Sequence, residues 1–227
     1  MNDFWDWKRT AVLSIDIQKA IEPGQPWAVE GMEQLLDGAE LALDACRKAG
    51  IPIIHAAYCL DPSGVDAMKF EAVDGTGRPL HSVRGSYDAQ ICERVKPLPG
   101  EHVLEKQKFT AFYGTRLESM LSRLDITSLV VFGVWTEACV ETTVYDAVWR
   151  NFRVALVKDA CASATRFMHK TACLDMANWL YGGMIINSGQ LQKAVRNEAY
   201  KAWKFESPCS FPYTAESINE MYESLDP

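Results

Sequence analysis

The sequence contains no apolar run near the roughly 20 residues that a bilayer span needs; its longest lies around Leu129–Trp135. It has no basic stripe. Lys and Arg number 23 against 30 Asp and Glu, a net charge of −7, which argues for solubility and against nucleic acid as a partner. The N-terminal stretch Met1-Asn2-Asp3-Phe4-Trp5-Asp6-Trp7 carries acids where a signal peptide has bases, and no apolar segment follows it before the first strand. A cytoplasmic location without a membrane partner is therefore expected. The seven cysteines are odd in number and form neither C-x-x-C pairs nor a Cys/His zinc spacing. Most of them read as small buried hydrophobes. The four histidines, at 55, 81, 102 and 169, are scattered, so no metal is expected. There is no P-loop and no G-x-S-x-G. Gly75-Thr76-Gly77-Arg78-Pro79-Leu80 lacks the third glycine of a dinucleotide fingerprint and follows no strand. NTP hydrolysis, serine esterase chemistry and dinucleotide binding thus lose their signatures, and no cofactor is expected.

What is present is an ordinary globular composition over 227 residues, with 48% hydrophobic, 11% aromatic and 23% charged residues, enough to build a core without disulfide or metal staples. One domain over 1–227 is expected, with its core at about 8–195 and a polar, aromatic surface tail at 196–227. Apolar runs at 11–15, 51–56, 102–105, 128–133, 153–157 and 183–186 read as strands. Helical spacing fills 31–49, 115–124, 136–150 and 169–180, and 188–195 ends the regular part. The stretch 57–88 reads as a long excursion, the kind of loop that carries function. Strand–helix alternation with uniformly apolar strands predicts an α/β fold, a three-layer α/β/α sandwich around a parallel sheet.

Ligands of open α/β sheets bind beyond the carboxyl ends of the strands. Asp16 ends the first strand, with Gln18 just after it. The third strand runs into Lys106, with Lys108 two residues on. The fourth ends at Gly133-Val134-Trp135-Thr136, and Cys139 falls in the first turn of the following helix. Taken singly, Asp16 reads as a strand-end cap, Lys106 as a solvated charge and Cys139 as core filler. Taken together they place a carboxylate, an amine and a thiol on one edge. A helix N-terminus and an ammonium favour thiolate, which makes Cys139 the expected fast-reacting thiol. A carboxylate can take the thiol proton and return it to a leaving amine, and helix-start N–H groups can hold an oxyanion. At the open edge, Asp16 is expected to have water around it rather than core packing.

The chain resembles the isochorismatase-like cysteine hydrolase superfamily, through Ala11-Val-Leu-Ser-Ile-Asp16-Ile-Gln18, Leu104-Glu-Lys106-Gln-Lys-Phe-Thr-Ala-Phe112-Tyr-Gly-Thr115-Arg-Leu117, Val130-Val-Phe-Gly-Val-Trp-Thr136-Glu-Ala-Cys139-Val-Glu-Thr-Thr143-Val-Tyr-Asp146-Ala147, and Val157-Lys-Asp159-Ala160-Cys-Ala162. The resemblance covers about residues 8–195. It implies a Rossmann-like, six-stranded parallel sheet of order 3-2-1-4-5-6 and a triad of Asp16, Lys106 and Cys139, with Lys106 preferred to Lys108. It implies a non-proline cis peptide between Val134 and Trp135, and an oxyanion hole made by the backbone N–H groups of Trp135 and Cys139. Trp135, Gln18 and Phe112 are the expected substrate-binding residues, and a homo-oligomer is expected. The metal-binding Asp-x-His…His pattern of nicotinamidases is missing from His55-Ala-Ala-Tyr-Cys-Leu-Asp61-Pro, which argues against a metal and against nicotinamide. The implied activity is cysteine-dependent hydrolysis of a small carboxamide, carbamoyl or ureido compound. The alternatives are an isochorismatase-type vinyl-ether hydrolase using Asp16 as general acid, and a non-catalytic family member.

Overall fold

A computed structural model describes residues 5–226 of the chain. In chain order the elements are β1 (Thr10–Ile15), α1 (Met32–Lys48), β2 (Ile53–Tyr58), β3 (His102–Lys106), α2 (Leu117–Arg123), β4 (Ser128–Val134), α3 (Glu141–Trp149), β5 (Arg153–Ala162), α4 (Arg166–Trp179), β6 (Met184–Ile186), α5 (Ser188–Val195), β7 (Trp203–Lys204) and α6 (Ile218–Glu223). Both β1 and β4 are buried at every position, the signature of strands covered on both faces. α1 packs on β5 and α5, while α3 and α4 pack together, and the sheet lies between helical layers. α1 stops where Gly50 takes a left-handed φ of +71°. Its N–H and that of Ile51 close back on the Arg47 and Cys46 carbonyls, a glycine-terminated helix end. α4 begins three residues before the expected position because the Thr165 side chain caps it, accepting the Met168 N–H at 3.2 Å.

The sheet is mostly parallel and has seven strands, in the order β3-β2-β1-β4-β5-β6-β7. The expected six are there in the expected order. The seventh comes from the segment read as a surface tail, where Trp203 and Lys204 pair antiparallel with Ile185 and Met184. That segment is also not confined to the surface, since Phe211, Ile218, Tyr222 and Leu225 are buried in the main core. β5 runs to Ala162 rather than stopping at Val157. Leu156 pairs with Val131, but Cys161 pairs with Gly133, so a bulge lets β5 continue past its first apolar run. Among the described residues, no helix is long and apolar enough to cross a membrane.

The chain order reverses between β1 and β4, and this switch point is where such sheets hold ligands. Register brings the strand ends level. Ile15 pairs with Ala56 and with Gly133, and Tyr58 pairs with Lys106. Asp16, Tyr58, Lys106 and Val134 therefore finish on one edge.

Candidate active site

β1 delivers Asp16 in an unusual backbone state. Its φ is +51°, a left-handed conformation that Asp tolerates better than bulky residues do. The Asp16 N–H donates to the Ala56 carbonyl at 2.8 Å, and its own carbonyl accepts from the Gln18 N–H at 2.8 Å. β4 comes very close to β1 beside this turn. A Cβ on Gly133 would stand 2.0 Å from the Ile15 carbonyl oxygen, and Gly133 has φ +133°, so no other residue fits.

β3 delivers Lys106, which has no solvent exposure at all. Its Nζ lies 2.7 Å from Asp16 Oδ2, donates to the Lys108 carbonyl at 3.0 Å and sits 5.1 Å from the centre of the Tyr58 ring. Lys108 points elsewhere, its Nζ donating to the Asp66 and Gln107 carbonyls. Asp16 is also buried, at 7% exposure, which corrects the expectation of water around it. The fully buried Lys106 ammonium and the carboxylate that balances it are thus buried together. Neither Asp16 oxygen accepts a hydrogen bond of regular geometry; the carboxylate is held by the charge of Lys106.

Cys139 lies in a one-turn π-helical segment, Thr136–Val140, that precedes α3. The Trp135 carbonyl accepts the N–H groups of both Ala138 and Val140, at 3.0 and 3.2 Å. Such π turns are frequent at functional sites. The Val134–Trp135 peptide bond is cis. Burial pushes the Cys139 thiol well above the usual range, the Asp16 charge pushes the same way, and Lys106 opposes them. The same surroundings act on Lys106: burial favours its neutral form, but the Asp16 and Cys139 charges outweigh burial and raise it. Burial and the Asp16 charge thus oppose the thiolate that a helix N-terminus favours, while Lys106 supports it.

A cavity of about 420 Å³ opens over these groups, within the size range of small-molecule sites. Asp16, Cys139, Ala138 and Trp135 form its floor, and Ile21, Trp27, Tyr58, Met68, Glu71 and Phe109 form much of its wall. The Trp135 indole N–H donates to the Trp27 carbonyl at 3.0 Å, and the two rings meet edge to face at 6.2 Å. Tyr58, Met68, Glu71 and Ser82 come from the 57–88 excursion, as its length suggested.

Two expected substrate contacts fall out differently. Gln18 borders the cavity, but its amide is committed to the fold. Nε2 donates to the Tyr58 and Ala89 carbonyls and Oε1 accepts the Tyr58 N–H, tying β1 to β2 and to the end of the excursion. Phe112 does not reach the cavity. Thr110 Oγ1 donates to Asp146 and the Ala111 N–H donates to Thr143 Oγ1, which turns this loop onto α3. Phe112 is then buried beside Phe152, with the Arg150 guanidinium 4.9 Å over its ring. Phe109 takes the cavity position instead.

The histidines do not converge. His55 is buried against Glu101 at 2.9 Å, His81 lies edge-on to Trp27, His102 is exposed on β3, and His169 lies between Thr136 and Tyr222. Among the described residues, no group of three or more His, Cys, Asp or Glu side chains is placed to hold a metal ion.

A mostly parallel sheet with a candidate site at the β1/β4 switch defines a broad class of three-layer α/β proteins, and comparison with known sequences narrows it. The isochorismatase domain model matches residues 10–190. The chain belongs to the isochorismatase family. It is 32% identical over 158 residues to an N-carbamoylsarcosine amidase of an Arthrobacter species, covering 66% of this chain and 58% of that one. It is 31% identical over 176 residues to an Arabidopsis thaliana protein named "probable inactive nicotinamidase", covering 76% of this chain and 90% of that one. Among solved structures, a cysteine hydrolase from Pseudomonas syringae superposes with a TM-score of 0.77 at 22% identity, over 85% of this chain and 95% of the other, a likeness of fold.

Proposed function

We propose that the protein is a cysteine-dependent amidohydrolase that cleaves a small carboxamide, carbamoyl or ureido compound. The observation that carries this reading is the contact of Asp16 and Lys106 beside the Cys139 thiol, at the floor of a cavity large enough for a small molecule. A relative named as an N-carbamoylsarcosine amidase supports C–N bond hydrolysis as the reaction class.

In this reading the cysteine sulfur attacks the amide carbon while Asp16 takes the thiol proton. Burial raises the thiol, so a base that takes its proton assists the attack. The backbone N–H groups of Trp135 and Cys139 hold the tetrahedral oxyanion, and the Lys106 ammonium offsets the developing negative charge. Collapse breaks the C–N bond, and the Asp16 carboxyl returns its proton to the departing nitrogen. Ammonia or an amine leaves, and a thioester remains on Cys139. Water then attacks the thioester and gives a proton to Asp16. The carboxylic acid leaves as the cysteine sulfur recovers its proton.

The test is ammonia release over a panel of small amides and ureides, with Cys139→Ala as the blank, and mass spectrometry of the quenched enzyme. The expected result is release that Cys139→Ala abolishes, with an acyl adduct on the Cys139 peptide. Release that survives Cys139→Ala, or no release from any member of the panel, overturns it.

A further inference from the structure

The cavity holds a charge pattern that bears on what can enter it. Its apolar and aromatic lining includes Ile21, Trp27, Tyr58, Met68, Phe109 and Trp135. The ionisable side chains that border it, besides the Cys139 thiol and the Tyr58 phenol, are two carboxyls, Asp16 and Glu71. Among the described residues no Arg, Lys or His borders it. Lys106 lies beneath the floor, fully buried, with its charge taken by Asp16.

Lys69, between the wall residues Met68 and Glu71, is exposed and sits over the Phe70 ring, and three further cations are engaged. Lys108 donates to two backbone carbonyls, Arg84 pairs with Asp61 and Glu105, and Lys19 bonds to Gln90 and sits over the Tyr87 ring. Glu71 is fixed in place. Its Oε1 accepts the Tyr58 hydroxyl at 2.7 Å and its Oε2 accepts the Met68 N–H at 3.0 Å. Each oxygen keeps a further lone pair.

A carboxylate-bearing substrate would lose its water here and meet the Glu71 carboxyl and the already paired Asp16 and Lys106, with no Arg, Lys or His among the described residues bordering the cavity to hold it. Burying an unpaired ion is strongly unfavourable. An apolar acyl group loses nothing by leaving water and gains from contact with the aromatic wall. Within the amidase reading, we infer that the substrate is an uncharged amide whose acyl part is apolar, and that Glu71 is the specificity-determining residue that rejects carboxylates. The inference takes its chemistry from that reading, while the binding preference can be measured without turnover.

Two neutral probes, benzamide and phenylacetamide, are compared with two carboxylate probes, 4-carbamoylbenzoate and N-carbamoylsarcosine. Calorimetric affinity for the Cys139→Ala protein is the deciding measurement, and kcat/KM by ammonia release is read on the unsubstituted enzyme. The neutral probes are expected to bind and react better by about 100-fold or more, as befits a site that would leave a buried charge unpaired. Folded Glu71→Gln is expected to narrow that gap about 10-fold, the size of one removed charge repulsion. Equal or tighter binding of the carboxylates overturns the inference, and so does binding of none of the four. A gap left unchanged in folded Glu71→Gln overturns the role of Glu71. Neutral probes that bind preferentially but are never hydrolysed leave this inference standing and overturn the amidase reading instead.

Discussion

Lys106 is an ammonium enclosed by protein, and Asp16 is the carboxylate that makes this tolerable. Breaking a buried pair leaves an uncompensated charge and costs about 3–5 kcal/mol, whereas replacing both members by apolar groups is often neutral. Lys106→Met and Asp16→Asn are each expected to lower the melting temperature by roughly 6–20 °C, at about 2–4 °C per kcal/mol for a chain of this size, and to cut turnover by about 10²-fold or more. The double variant Asp16→Asn/Lys106→Met, which keeps at position 16 a residue that tolerates the left-handed backbone, is expected to recover part of the stability and none of the activity. Melting curves beside a steady-state assay check this, and a double variant no more stable than the singles would show that the two do not act as a pair. Lys108→Ala, which loses only bonds to neighbouring carbonyls, is expected to leave melting nearly unchanged. Thiol reactivity follows the same burial. Cys209 is exposed, Cys139 is half-buried and the other five cysteines are buried, and burial raises the Cys139 thiol. Brief iodoacetamide treatment at pH 7 is therefore expected to label Cys209 ahead of Cys139, read by peptide mass spectrometry. The order expected from the helix N-terminus alone is the reverse, because proximity to Lys106 and a helix start predicts thiolate only where desolvation does not compete.

At the scale of the element, the site depends on how closely β1 and β4 approach. Gly133→Ala would put a methyl group 2.0 Å from the Ile15 carbonyl oxygen, at a φ of +133° that side chains rarely adopt. Neither backbone can yield without breaking the ladder that carries Asp16. The expected cost is about 3 kcal/mol or more, the upper end of overpacking, read as lost soluble yield or a melt lowered by several degrees. A Gly133→Ala protein with unchanged melting would mean that β4 can slide. The strand ends were legible in the sequence because each polar residue, Asp16, Lys106 and Cys139, closes or follows an apolar run, and in a parallel sheet such ends share one edge. The turn after β3 was not legible. Whether Phe109 or Phe112 faces the cavity is decided by bonds from Thr110 and Ala111 to α3, more than 30 residues away in the chain. Gln18 was legible as a residue at the site but not in its role, since its partners at Tyr58 and Ala89 are invisible to local spacing. In the segment after 196, Ile218, Tyr222 and Leu225 do fall at i, i+4 and i+7 along α6 and its end, but a six-residue helix is too short a signal to stand out from a polar, aromatic stretch.

For the whole molecule, that last segment links the C-terminal end of the fold to the turn that carries Cys139. Lys158, itself buried, pairs with Asp226 at 2.7 Å and donates to the Tyr222 carbonyl. His169 lies between Tyr222 and Thr136, with Nε2 2.9 Å from the Tyr222 hydroxyl and Nδ1 2.9 Å from Thr136 Oγ1. Thr136 spends its one hydroxyl proton on the Ala162 carbonyl, so Nδ1–H must donate to Thr136 and Nε2 must accept from Tyr222. A second proton on the ring would remove that acceptor inside the core. Burial accordingly lowers His169 from 6.5 to about 4, with Arg166, Lys158 and Lys170 adding to the effect. Between those values the unfolded chain binds a proton that the folded chain does not. The stability from the neutral ring is thus complete above pH 6.5 and is lost as pH falls towards 4, on the order of 3 kcal/mol in all. Glu141 works against this. Burial raises it from 4.5 to about 7, so its contribution is present at low pH and is lost as pH rises through that range. The two slopes partly cancel in the intact protein, and its own pH curve hides both. The difference between wild type and His169→Gln isolates the histidine. The variant, which has lost a buried hydrogen-bonded ring, is expected to be less stable at pH 7.5, and the gap is expected to shrink steadily towards pH 4.5. Tyr222→Phe removes the donor but leaves the ring buried; it is expected to cost about 1 kcal/mol with little change in that slope. Urea titrations of the three proteins at intervals across this range supply the numbers, and a gap between wild type and His169→Gln that stays constant with pH would show that the ring is not the titrating group.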